Sequence, residues 1–192
     1  MQQSSTKARM QELGKRLCRF GYAEIEKELS GLDLDGDSLI ELLSHRSRKV
    51  ADSAFSLLNR MDDGSQLVVG AVLSGRFTHR DAKIRATNFL AWRGRACSEA
   101  MKVYLHFLDD RNLEVVDSAL FGVVFFQDKG QIESLERRRD GLPAGTKIRE
   151  TFDEAIRALR EENPFLYSPG FHDAADVWAL DRKRFADRIG SL

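Results

Sequence analysis

LEVVDSALFGVVFF, residues 113–126, is the stretch on which the fold of this chain turns. Ten of its fourteen residues are apolar, more than a surface helix requires, so neighbouring elements must cover it on most sides. Glu114, Asp117, Ser118 and Gly122 interrupt the run at offsets of three, four and eight, which is one narrow stripe on a helix. A strand would alternate polar and apolar with a period of two. The β-branched and aromatic residues 123–126 keep a buried strand as the alternative. A membrane span needs about 20 apolar residues, and this run stops short with Glu114 and Asp117 inside it. The expectation is the central helix of a soluble core.

Working outward, the pattern of this stretch recurs. Lys49-Val50-Ala51-Asp52-Ser53-Ala54-Phe55, Lys83-Ile84-Arg85-Ala86-Thr87-Asn88-Phe89, Glu114-Val115-Val116-Asp117-Ser118-Ala119-Leu120 and Lys147-Ile148-Arg149-Glu150-Thr151-Phe152 align as charged, β-branched, then small and bulky positions. Their starts at 49, 83, 114 and 147 are 34, 31 and 33 residues apart. A shorter helical pattern follows each copy, over residues 65–74, 96–109, 130–140 and 173–189. Two helices per unit at a period of 20 to 50 residues is the signature of an α-solenoid, whose core comes from stacking. The three prolines, Pro143, Pro164 and Pro169, leave the first 142 residues free of helix breakers. Residues 6–20, with Met10, Leu13 and Leu17 on one face and Lys7, Arg9, Lys15, Arg16 and Arg19 elsewhere, predict a first helix; 22–30 and 38–44 predict two more.

The units at 82–109 and 146–160 resemble HEAT repeats, through Asp81 ahead of Ile84-Arg85 and through the Ile148-Arg149 pair. Ala51 and Val116 stand where an arginine is usual in that family. The resemblance covers roughly residues 47–163 and implies an all-α, right-handed α-solenoid of about four to five helical hairpins. The whole chain, 1–192, then reads as one helical-repeat domain: capping helices at 1–45, repeats at 46–163, and a C-terminal loop and capping helix at 164–192, where Val177, Trp178, Phe185 and Ile189 form an apolar face.

Composition narrows function mainly by exclusion. The 192 residues, 42% of them hydrophobic, suffice for one core. Lys plus Arg equals Asp plus Glu at 30 each, which removes an overall field toward nucleic acid or anionic membranes. Cys18 and Cys97 lie far apart, so neither a disulfide framework nor a zinc site is indicated. The polar start MQQSSTKARMQELGKR lacks the apolar region of a signal peptide, and a cytoplasmic protein is expected. Asp33 to Gly36 has calcium-loop composition, but with Gly36 in the sixth place the first and twelfth ligands fall on Gly31 and Leu42. An acidic N-terminal cap for the next helix is the better account.

No catalytic, cofactor-binding or metal-ligand motif is present: GLPAGTK at 141–147 has the wrong order and spacing for a phosphate loop, and His45, His79, His106 and His172 have no partner motif. His45 and His79 fall near predicted helix ends, where an imidazole meets the last carbonyls or solvent. Over 96–109, Glu99, Lys102, His106 and Asp109 share one polar face at offsets of three, seven and ten. In HEAT proteins the second helices line the concave surface. The resemblance would therefore set these four beside Gln66 and Ser74 on one side and Glu133, Glu136 and Arg137 on the other. The bland account of the same face is a solvated surface with ordinary helix pairs such as Glu99 with Lys102.

Two functions follow. The first is a non-enzymatic module binding another protein in its groove; small proteins of this look often serve as bacterial adaptors or as immunity proteins that occlude a toxin. The second is nucleic-acid binding, because a group of DNA glycosylases resembles stacked HEAT-like units. Arg46-Ser47-Arg48-Lys49, Arg93-Gly94-Arg95, Arg137-Arg138-Arg139 and Arg182-Lys183-Arg184 would supply a basic ridge, and Trp92 and Trp178 would supply stacking surfaces. Zero net charge and the apolar setting of both tryptophans favour the first.

Overall fold

A computed structural model describes residues 2–93 and 98–167, the side chains of 2–5 and 92 excepted. The expected closing helix at 173–189 lies outside the described residues, as do Gly94, Arg95, Cys97, Pro169, His172, Trp178 and the basic cluster at 182–184, together with the side chain of Trp92. Among the described residues there are ten α-helices and no strand, so the all-α expectation is met.

The helices are α1 (Gln2–Leu17), α2 (Tyr22–Ser30), α3 (Gly36–Leu43), α4 (Arg48–Leu58), α5 (Gly64–Leu73), α6 (Arg80–Arg93), α7 (Ala100–Phe107), α8 (Leu113–Phe126), α9 (Ile132–Asp140) and α10 (Lys147–Arg160). Single 3₁₀ turns at Lys129–Gln131 and Pro164–Leu166 complete the order. The four aligned sequence copies open α4, α6, α8 and α10, each within the first four residues of its helix. Helix α7 begins at Ala100, four residues later than the sequence pattern suggests, and α1 stops at Leu17, short of Phe20.

Local chemistry accounts for the ends. Asp35 caps α3 by accepting the Ser38 N–H at 2.8 Å, the role expected of the acidic turn, and that hydrogen bond holds its carboxyl below the usual range. Asn112 caps α8 by accepting from the N–H groups of Glu114 and Val115 at 3.0 and 3.4 Å. Gly75 follows α5 with φ of 73°, the left-handed conformation that glycine adopts without steric cost.

Packing forms two rows. Helices α1, α3, α5 and α7 meet in succession; in the other row α2 meets α4, and α6, α8 and α10 meet in turn. Each short helix packs more closely on the long helix after it than on the one before, as α3 on α4, α7 on α8 and α9 on α10. The hairpins are thus offset by one helix from the long-then-short pairs suggested by the sequence. Close approach explains the α7–α8 case. A Cβ on Gly122 would lie 2.2 Å from a Tyr104 ring carbon, so only a glycine seats that ring against α8. In α10, Phe152, Ala155, Ile156 and Leu159 are buried at i, i+3, i+4 and i+7, and each fully buried side chain of the larger kind contributes roughly 1.5–3 kcal/mol.

The opening stretch is helical to its last residue, Phe126, which excludes the strand alternative. Beyond partly exposed Glu114, its polar stripe is buried. Asp117 and Ser118 are 0% and 1% exposed. Ser118 hydrogen-bonds Thr87 of α6, and Glu114 pairs with Arg80 of the same helix at 3.0 Å. Tyr167 donates to the Asp117 carboxylate at 2.6 Å, and burial beside that carboxylate raises the phenol well above its ordinary pKa. The stripe is an interhelical seam.

Candidate surface on helices α5, α7 and α9

The expected site residues sit on three helices of alternate position. On α5 and its end, Gln66, Gly70, Leu73 and Ser74 are exposed, Leu73 with 48% of its surface. The Ser74 hydroxyl is engaged at home, donating toward the Gly70 and Ala71 carbonyls at 2.7 and 3.2 Å. On α7, Glu99 occupies the N-cap position and pairs with Lys102 at 2.5 Å, both exposed. His106 is also exposed, its ring 5.4 Å from that of Phe107.

Asp109, just past α7, joins this helix to α9. Arg138 grips it with two donors, Nε to Oδ1 at 3.1 Å and Nη2 to Oδ2 at 3.2 Å. Glu133 and Arg137 make an exposed i,i+4 pair at 3.2 Å. Glu136 turns elsewhere, toward an ion pair with Arg160 of α10. The structure therefore brings Gln66, Ser74, Glu99, Lys102, His106, Asp109, Glu133 and Arg137 to exposed positions on α5, α7, α9 and their ends, and directs Glu136 to the seam between α9 and α10. These exposed positions are of mixed sign, and exposed Leu73 is the apolar residue on α5 among them.

Among the described residues no three His, Cys, Asp or Glu side chains converge as metal ligands, and no helix is long and apolar enough to cross a membrane. The two other described histidines have structural partners. His79 hydrogen-bonds the Ser44 carbonyl at 2.5 Å, meeting the end of α3, and His45 Nδ1 accepts the Ser47 N–H at 3.0 Å. Burial, with Arg85 and His79 nearby, lowers the His45 pKa.

Several described residues of the basic clusters act as individual anchors. Arg93 donates to the Asn59 and Met61 carbonyls at 2.8 and 3.1 Å, tying the α4–α5 turn to α6. Lys49 donates to the Cys18 and Phe20 carbonyls beyond the end of α1. Arg48 pairs with Asp52 at 3.4 Å, and Arg139 with Asp140 and Asp153 at 2.9 and 3.1 Å.

A feature that the sequence motifs do not single out lies on α1. Arg9, Glu12, Leu13, Lys15, Arg16 and Arg19, with Leu32 after α2, line an open cleft of about 600 Å³. The signal was present as basic residues spaced along one helix, but nothing in the sequence says which face the fold leaves open.

No protein-family model matches this chain, and it matches neither a curated protein nor a solved structure.

Proposed function

We propose that the chain is a non-enzymatic protein-binding module, a right-handed α-solenoid of HEAT-like hairpins that engages a partner on its concave surface, through the exposed residues of α5, α7 and α9. The observation that carries this reading is the exposure of the mixed-sign residues Glu99, Lys102, His106, Glu133 and Arg137, together with exposed Leu73. Charges of alternating sign choose a partner of complementary pattern and exclude others, while an exposed leucine offers the apolar contact that interface centres use. The successive packing of α1, α3, α5 and α7 supports a solenoid. A cognate toxin inhibited by occlusion, or the client of an adaptor, is the kind of partner such a face suits. Engagement of Arg48, Arg93, Arg138 and Arg139 within the chain favours a protein partner over nucleic acid, since those guanidiniums already have acceptors.

The test begins with capture of the principal partner from the source cell. Its affinity is then measured for the native chain and for a Glu99→Lys, Glu133→Lys variant. Both positions are exposed and make only local pairs, so helicity should persist while affinity falls about tenfold or more. Unchanged affinity removes this face from consideration. Tight, strongly salt-dependent binding of DNA or RNA in a mobility-shift assay would promote the nucleic-acid reading instead.

A further inference from the structure

Between residues 7 and 19 the first helix and its end carry Lys7, Arg9, Lys15, Arg16 and Arg19 against the single acid Glu12. Burial of Met10, Gly14 and Leu17 fixes how α1 lies, so its charged side is held outward by the core. Arg9, Leu13 and Arg16 fall at i, i+4 and i+7, which places them on one face over about 10 Å. Among the described residues Lys15 pairs with Glu12 at 3.4 Å, while Arg9, Arg16 and Arg19 have no carboxylate within ion-pair distance, although Arg9 lies near enough to Asp35 to help lower its pKa. Elsewhere in the described chain the arginines of the clusters mostly find carboxylates or carbonyls. Three guanidiniums around one cleft with no ion pair among the described residues, lined also by half-buried Leu13 and 37% exposed Leu32, are a different arrangement.

We infer that this cleft docks an acidic segment of a partner protein, with carboxylates on Arg9, Arg16 and Arg19 and an apolar side chain seated against Leu13 and Leu32. The inference rests on the protein-binding reading above and adds the chemistry of the partner. A guanidinium presents paired donors that match a carboxylate, and arginine is enriched at protein interfaces where lysine is depleted. The cleft volume accommodates a few side chains, the size of an anchoring segment. Charge complementarity alone would also admit a phosphodiester strand, but no aromatic side chain lines the cleft for base stacking. The zero net charge of the chain withholds the long-range attraction on which nucleic-acid affinity depends.

The test uses the full chain and three fluorescein-labelled probes: a helical peptide of about 18 residues, five turns, with glutamates on one face and leucines on the other; the same peptide with serines for leucines; and a single-stranded oligothymidylate of equal charge. Fluorescence anisotropy should show saturable binding of the first peptide, weaker binding of the serine version, and about tenfold or greater loss on Arg9→Glu with Arg16→Glu. Arg9→Ala with Arg16→Ala serves if the reversal disturbs the circular dichroism spectrum. The Glu99→Lys, Glu133→Lys variant should bind the peptide as the native chain does. Absence of saturable binding, or binding indifferent to the arginine substitutions, overturns the inference while leaving the α5–α7–α9 face standing. Preference for the oligonucleotide, lost with the same arginines, overturns it in favour of a phosphodiester site.

Discussion

Two glycines inside helices should respond to the same substitution with opposite signs. Glycine within a helix costs roughly 0.5–1 kcal/mol relative to alanine, because it loses more conformational freedom on folding. At Gly70, on the exposed side of α5, an added Cβ meets nothing within 4 Å. Gly70→Ala should therefore stabilise the chain by about 0.5–1 kcal/mol. At Gly122 the added atom lands 2.2, 2.4 and 2.5 Å from three ring carbons of Tyr104, whereas carbon atoms rest at about 3.5–4.0 Å. Tyr104 is fully buried, its hydroxyl donates to the Thr87 carbonyl at 3.3 Å, and the Phe126 ring stands 5.6 Å away. A ring so enclosed yields only by pushing its neighbours, and overpacking of this kind costs about 1–3 kcal/mol. That outweighs the helix gain, so Gly122→Ala should destabilise by up to about 2 kcal/mol. Urea denaturation followed at 222 nm, with free energies compared at constant slope, measures both changes. A stabilised Gly122→Ala chain, or equal shifts for the two variants, would refute the close seating of α7 on α8. Adding Tyr104→Leu should remove part of the Gly122→Ala penalty, since the obstructing ring is gone.

Other consequences are as direct. Tyr167→Phe deletes the hydroxyl donated to buried Asp117 and should cost about 1.5–3 kcal/mol in the same denaturation assay; a loss below a few tenths would show that the contact is dispensable. The lowered His45 pKa makes the folded chain resist a proton that the unfolded chain accepts. Stability is thus complete above the ordinary histidine pKa near 6.5 and declines as pH falls through it toward the lower folded value. In His45→Asn, whose side-chain oxygen can replace Nδ1 as acceptor from Ser47, that decline should flatten; an unchanged pH profile would assign it to other groups.

Four helix starts are legible in the aligned segments because their residues act there. Lys49, Lys83 and Glu114 each reach a neighbouring loop or helix, through the Cys18 and Phe20 carbonyls, Asp110 and Arg80 respectively, so the charged first position has a recurrent task. Hairpin phase was less legible. It depends on which side of each long helix admits close approach, and one glycine facing one ring decides that between α7 and α8. The stripe on α8 was identified correctly as helical, but periodicity gives the spacing of polar groups and not their surroundings. Only folding shows that Ser118 meets Thr87 and that Asp117 meets a tyrosine far along the chain. Most expected surface residues are exposed, whereas Glu136 is diverted by Arg160, a partner on another helix that spacing within α9 could not reveal. The α1 cleft escaped for the same reason: five basic residues on a helix read alike whether paired or free.

The bond from Tyr167 to Asp117 closes a loop of fifty residues that contains all of α9 and α10. Such a contact forms only after both helices have returned the chain to α8, so it belongs late in folding, after the local helix pairs. A late contact holds the native state without guiding the chain toward it. Its loss should quicken unfolding and leave the refolding rate almost unchanged. The tyrosine would then set chiefly how long the folded molecule lasts, and hardly at all how fast it is made.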